Sequence, residues 1–353
     1  MSESNPQEPQ TAPRGLYVMP SPPPGHRHGF WSIVPWVLVL VLVGLCLVSL
    51  FVNVVSSSLL LGGGGAASTA EKINEKYVSG PALYRASSKI AVVSVSSVIL
   101  GDEESGPSSW IIRQLKHAKD DPKVHAIILS VDSPGGGVTS ADVVYKKILD
   151  FRASGKPVVV MFGDIAASGA YYISAPADKI IAHPTSIVGS IGVIIESFNA
   201  AGLLQKIGVE SVVYKSAPFK DILSPWRAAT EPEKAMLQGI TDQMFDRFKS
   251  IVAKGRKMSP EEVDAIATGA IFTAEEAKDK KLIDSVGYFE DAVAAAKGIA
   301  GVAGATVVKY EKPPSLADYL LGSRKSPGGE LEERLNSALE IHKPGFYYLW
   351  PGP

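Results

Sequence analysis

Three short segments of this 353-residue chain hold residues whose types and spacing could do chemistry on a carbonyl group. The first is SVDSPGGGV, Ser130 to Val138, where an apolar run ends at Asp132 and Gly135, Gly136 and Gly137 follow Pro134. Glycines at a strand-to-helix turn let backbone approach a ligand closely and present N–H groups to it. Neither GxxxxGK[ST] nor GxGxxG can be placed there, so this is not a phosphate loop. The second is GDIAASGAYY, Gly163 to Tyr172, with Ser168 set among Ala166, Ala167, Gly169 and Ala170. Small neighbours leave room beside the hydroxyl, and an N–H at a helix start can face a developing oxyanion. A serine there is equally an ordinary helix N-cap, and the residues alone leave both readings open. The third is VYKSAPFKDILSPWRAATEPEK, Val213 to Lys234, which offers Lys215 and Lys220. A serine hydroxyl needs a base. With no GxSxG and no well-placed Asp–His couple, a neutral lysine is the remaining option. Its pKa must drop from about 10.4 by about 2–3 to serve near neutral pH. Solvated surface positions are the ordinary alternative for both lysines.

Composition narrows the classes. The net charge is −1, from 35 basic and 36 acidic residues, so no global basic field exists for nucleic acid. The single cysteine, Cys46, excludes an intrachain disulfide and a cysteine metal site. Histidines at 26, 28, 117, 125, 183 and 342 form no HExxH pattern, which argues against a zinc hydrolase. No cofactor and no metal are expected.

The elements that must position these segments follow from hydrophobic period. KIAVVSV (89–95), HAIILSV (125–131), PVVVMF (157–162), DKIIAH (178–183), ESVVYK (210–215) and ATVVKY (305–310) read as short β-branched strands. Helical patterns fall at 108–119, 140–153, 200–207, 231–257 and 289–299. Apolar strands alternating with amphipathic helices imply an α/β domain with a largely parallel, buried sheet.

The N-terminal region differs. Residues 33–52 carry no charge and are long enough, at about 30 Å of helix, to span a bilayer. A cleaved signal peptide is the alternative, though its apolar stretch is usually shorter. His26, Arg27 and His28 before the run, with no Lys or Arg after it until Lys72, point to a cytoplasmic N-terminus and an extracytoplasmic main domain. The expected division is a disordered tail at 1–29, a transmembrane anchor at 30–55 and a flexible tether and lead-in at 56–88. A peptidase domain at 89–312 and a C-terminal extension at 313–353 complete it. The aromatic ending of that extension reveals no role by composition.

Taken together, DSPGG (132–136), AASGAYYIS (166–174), GSIGV (189–193), YKSAPFKD (214–221) and GAIFTAEEAKDKKLIDSVG (269–287) resemble the signal peptide peptidase A family of membrane-anchored Ser-Lys proteases, in its short single-domain form. The ending KPGFYYLWP (343–351) resembles the family's as well. The resemblance implies a ClpP/crotonase-like superhelical α/β domain. It implies Ser168 as nucleophile, Lys220 as general base and Ser190 as support for the lysine. The oxyanion hole would come from the backbone N–H of Gly135 or Gly136, with that of Ser168 or Gly169. Ala170 stands where the family commonly has glycine. The resemblance further implies a ring-like homo-oligomer domed over the membrane, its active sites shared between subunits, with membrane lipid and peptide substrates as partners and no nucleic acid. The implied activity is cleavage of membrane-associated or signal peptides through an acyl-enzyme. The alternatives are a ClpP-like Ser-His protease using Ser168 and His183, a crotonase-like acyl-CoA enzyme, and an inactive membrane scaffold.

Overall fold

The computed structural model describes residues 73–312 and 346–350, together with residues 39, 42–44 and 49. Four apolar runs form the parallel centre of the main sheet. They are β2 (Lys89–Val95), β3 (Val124–Ser133), β5 (Val158–Ala167) and β6 (Lys179–Ala182), paired in that order. Beyond β2 lies β11 (Thr306–Glu311), also parallel, and β1 (Asn74–Ser79) closes that edge antiparallel to β11. At the other edge β10 (Ser285–Val286) adds to β6. The last three residues of β5 pair instead with β7 (Ile187–Gly189), which holds β9 (Ile271–Thr273) antiparallel, giving nine strands.

Alternation along the central strands builds two cores, because successive side chains leave opposite faces of a sheet. Val93, Val95, Leu129, Val131, Val160 and Phe162 face one layer. That layer is made by α1 (Gly106–Asp120), α2 (Val138–Arg152), α3 (Gly169–Ser174) and part of α5 (Glu231–Arg256). Ile90, Val92, Ile128, Val159 and Met161 face Ala292 and Ala296 of α8 (Phe289–Ala300). In chain order α4 (Ala201–Ile207) lies between α3 and α5, and α6 (Pro260–Ile266) and α7 (Ala274–Asp279) lie between α5 and α8; Val263 and Ala277 join the first core. The start of α5 is written in its sequence: Thr230 and Glu233 form a reciprocal capping box, with Pro232 in the first turn. A second, antiparallel sheet of three strands has the order β4 (Gly135–Gly137), β12 (Phe346–Leu349), β8 (Ile194–Ile195).

Several expectations change. ESVVYK (210–215) is not a strand; residues 209–215 have no regular structure, and Val212 and Val213 are 65% and 50% exposed. β-Branched residues favour strands only where a neighbouring strand offers a ladder and a half-buried face, and among the described residues no strand pairs with this segment. The lead-in before residue 89 contains the edge strand β1, and the C-terminal extension contains β12. The architecture is a mixed α/β domain, with antiparallel strands at its edges and a separate antiparallel sheet. This replaces the ClpP/crotonase-like superhelical domain behind a transmembrane helix. Among the described residues no helix is long and apolar enough to cross a membrane. The anchor expected at 30–55 lies, apart from residues 39, 42–44 and 49, outside the described residues. The described residues give no support to the membrane-anchored form, the lipid partner, the ring domed over a membrane or the cytoplasmic and extracytoplasmic sides, and these expectations are set aside.

Candidate active site

Ser168 follows the last residue of β5 and precedes α3. Its φ of 53° and ψ of −115° lie in a region that non-glycine residues seldom occupy, and it is 1% exposed. Its hydroxyl makes no capping bond to the helix, so the ordinary N-cap alternative is not realised. Its amide donates to the Gly189 carbonyl at 2.7 Å. Gly189 ends β7 opposite Ala167, and Ser190 comes next, buried and also at positive φ (49°). The Ser190 amide donates to the Ala270 carbonyl at 2.7 Å, fixing its backbone from the far side. The two serines therefore terminate adjacent parallel strands. A cleft of about 500 Å³ is lined by Ser190, Gly192, Asp242, Phe245, Leu349 and Trp350 among others.

The glycine loop lies against Gly169. Ile99 holds it from one side, accepting from Gly137 N at 2.9 Å and donating to Gly135 O at 2.8 Å. β12 holds it from the other, with Tyr348 opposite Gly136 and the Trp350 amide donating to Pro134 O at 2.9 Å. Glycine is required here. A Cβ on Gly135, whose φ is +104°, would stand 2.1 Å from the Tyr348 carbonyl oxygen and 2.7 Å from Gly169 N. A Cβ on Gly169 would stand 3.0 Å from the same oxygen and 3.1 Å from Gly136 N. Of the backbone donors named from the sequence, Gly135 N is engaged by Ser133 Oγ at 3.2 Å and Ser168 N by Gly189. The Gly136 amide faces the Tyr348 carbonyl across the β4–β12 pair, and Gly169 lies beside both.

Sequence reasoning missed the tail that covers this loop. Tyr348 is wholly buried, stacked on Tyr172 of α3 with ring centroids 4.9 Å apart and packed on Phe248 of α5; its hydroxyl donates to the Met244 carbonyl. The signal was the short aromatic run FYYL after Pro344-Gly345, which has a strand's composition but no partner visible in sequence. Tyr172 in turn donates to Asp142, which Arg247 of α5 also binds; burial and that carboxylate push the phenol well above its ordinary range.

The two lysines separate clearly. Lys215 donates to Asp221 Oδ1 at 2.7 Å and to Pro218 O at 3.0 Å. Lys220 sits exposed in the turn that follows, its amide donating to Ala217 O. His183 follows β6, its Nδ1 2.8 Å from Thr185 Oγ1 and its ring edge-on to Tyr288. Its amide donates to the carbonyl of Phe162, five residues before Ala167 along β5. Among the described residues no cluster of three or more His, Cys, Asp and Glu is placed to hold a metal ion.

Residues 150–303 match Peptidase family S49. The chain is 33% identical over 339 residues to an Enterococcus faecium protein provisionally named signal peptide peptidase SppA, covering 89% of this chain and 98% of that protein. It is 36% identical to Protease 4 of Salmonella typhi over 72% of its own length but spans only 41% of that longer enzyme. Similarity to the chloroplastic serine protease SPPA of Arabidopsis thaliana is 31% identity over 60% of this chain and 32% of that one.

Proposed function

This chain belongs to peptidase family S49 and is a serine protease, a hydrolase of peptide bonds, and we propose that Ser168 is its nucleophile and Lys220 its general base. The observation that carries this reading is the backbone of Ser168. It is strained and buried at a strand end, released from capping duty, and flanked by Ser190 and by the Gly136 and Gly169 amides. Strain of this kind persists where the surrounding structure imposes it, and it clusters at reacting centres. Lys215 is already paired with Asp221 at 2.7 Å and does not suit the role. Lys220, whose ammonium no carboxylate holds among the described residues, does.

In this mechanism Lys220 takes the Ser168 proton and the hydroxyl oxygen attacks the peptide carbonyl. The developing oxyanion is received by the Gly169 amide together with that of Gly136, once the substrate oxygen replaces the Tyr348 carbonyl that Gly136 faces in the β4–β12 pair, with Gly135 and the Ser168 backbone holding the loop and strand end in place. Lys220 then protonates the leaving amine, and an acyl-enzyme remains on Ser168. The same lysine activates the water that hydrolyses it. Ser190, one strand over, holds the lysine amine toward Ser168. A neutral lysine needs water excluded from it; Lys220 is exposed here, so the role requires its loop to carry the amine to the buried end of β5 and β7. The catalytic unit is the segment 89–312, completed by β1 and β12 from its flanks.

Hydrolysis of a chromogenic peptide and labelling by a fluorophosphonate test the assignment. Ser168→Ala and Lys220→Ala should each lose about 10³-fold or more in kcat, the scale for deleting one member of a catalytic unit. Lys215→Ala and His183→Ala should keep substantial turnover. Labelling lost in His183→Ala and retained in Lys220→Ala would move the base to the histidine.

A further inference from the structure

Residues 209–230, which carry Lys220, lie almost wholly at the surface and contribute no residue to either hydrophobic core. Side-chain packing therefore does not fix where Lys220 stands. A guanidinium does. Arg227 grips two carboxylates at once: Nε and Nη2 donate to Asp221 Oδ2 and Oδ1 at 2.8 and 2.7 Å, and Nη1 donates to Glu233 Oε2 at 2.9 Å while Nη2 reaches Oε1. It also donates to the carbonyls of Asp221 and Ala228. Lys215 completes the clasp by binding Asp221 and the Pro218 carbonyl. Lys220 thus has a tethered residue immediately after it, Asp221, and another two before it, Pro218.

The other end of the clasp is rigid. Glu233 is 2% exposed and caps α5, accepting from the Thr230 amide at 2.8 Å. That helix is 26 residues long, about 39 Å. Further along it, Phe248 packs on Tyr172 and Arg247 binds Asp142 and the Tyr172 hydroxyl. Tyr172 belongs to the short helix that Ser168 opens. A continuous run of contacts therefore joins the lysine's loop to the serine's helix through Arg227 and α5.

Isolated surface ion pairs contribute little to stability, but a guanidinium forked onto two carboxylates fixes direction as well as distance. We propose that Arg227 is a positioning residue for Lys220, registering the lysine loop on α5 and thereby on Ser168. This rests on the reading of Lys220 as the base. An arginine is required, because a lysine ammonium cannot fork onto Asp221 and Glu233 together.

The test compares Arg227→Ala, Arg227→Lys, Asp221→Asn and the double variant Arg227→Ala/Asp221→Asn with Lys220→Ala, using peptide hydrolysis and thermal unfolding of the full chain. Displacing a reacting group by about 1 Å costs on the order of 10²-fold in rate. Arg227→Ala and Asp221→Asn should each lose about that much in kcat, with KM within about twofold and the unfolding midpoint nearly unmoved. The double variant should be no slower than either single one, since both break one clasp. Arg227→Lys should fold as the native chain does yet recover only part of the loss. An Arg227→Ala enzyme within threefold of native kcat beside an inactive Lys220→Ala would overturn the positioning role and leave the base assignment standing. Losses that track a fallen unfolding midpoint, or a double variant with multiplied losses, would also overturn it. An active Lys220→Ala would bring down both readings.

Discussion

Ser168 and Ser190 end two neighbouring parallel strands in register: Ala167 pairs with Gly189, and the Ser168 amide donates to the Gly189 carbonyl at 2.7 Å. Both residues sit at positive φ, 53° and 49°, so both strands break their twist at the same level of the sheet. Two hydroxyls brought to one edge by backbone pairing keep their spacing whatever the surface loops do.

If Ser190 aims the lysine and does not attack, its removal should slow the enzyme without stopping it. Ser190→Ala is expected to lower kcat by about 10²-fold, the lower end of what a proton-transfer partner contributes. Fluorophosphonate should still label Ser168 in that variant, more slowly. Full native turnover in Ser190→Ala would remove it from the site, and a complete loss of labelling would make it more than a support.

Gly135 should tolerate no side chain. Gly135→Ala combines an unfavourable φ with overlap on the Tyr348 carbonyl, for about 3 kcal/mol or more. Gly155→Ala is the control: its φ is +82° with nothing within 4 Å of the added carbon, so only strain of about 1–2 kcal/mol applies. Urea midpoints of the two variants should differ in that order, and equal midpoints would mean the loop moves freely away from β12.

The C-terminal strand should prove part of the core. Tyr348→Ala would empty a fully buried aromatic site and cost about 3–5 kcal/mol, whereas Tyr348→Phe loses one hydrogen bond to Met244 and about 1 kcal/mol. Both are read from chemical denaturation. A Tyr348→Ala chain as stable as the native one would show that the strand is not held in solution.

Acid should release the clasp late. The Arg227 guanidinium, with the Thr230 amide, holds the Glu233 carboxyl at about 2, well under its ordinary value, and Asp221 is held lower still by Arg227 and Lys215. A depressed folded-state pKa stabilises the fold above the unfolded value and loses that contribution as pH falls through the folded one. The stability gap between the native chain and Glu233→Gln should therefore be constant above about pH 5 and close between about pH 4.5 and pH 2. Urea midpoints across that range decide it. A gap already closed at pH 6 would mean that the carboxylate is not held by the arginine.

Periodicity located β2, β3, β5, β6 and β11, because each is a β-branched run buried on both faces of a parallel sheet and so carries its own signal. The glycine loop and Ser168 were legible for a similar reason: close backbone approach excludes side chains, and that exclusion is written as Gly and Ala. ESVVYK has the same composition as those strands and forms none, since pairing is a property of neighbours and not of the segment. FYYL shows the converse, becoming a strand only because Gly136 and Ile194 lie on either side of it. Nor could the sequence say which amides are engaged. Gly135 N and Ser168 N are satisfied locally by Ser133 and Gly189, Gly136 pairs with Tyr348 of β12, and Gly169 meets Gly136 across a turn that only the folded sheet closes. Residue types carry the local chemistry, and the contacts between distant segments decide which of those groups face one another.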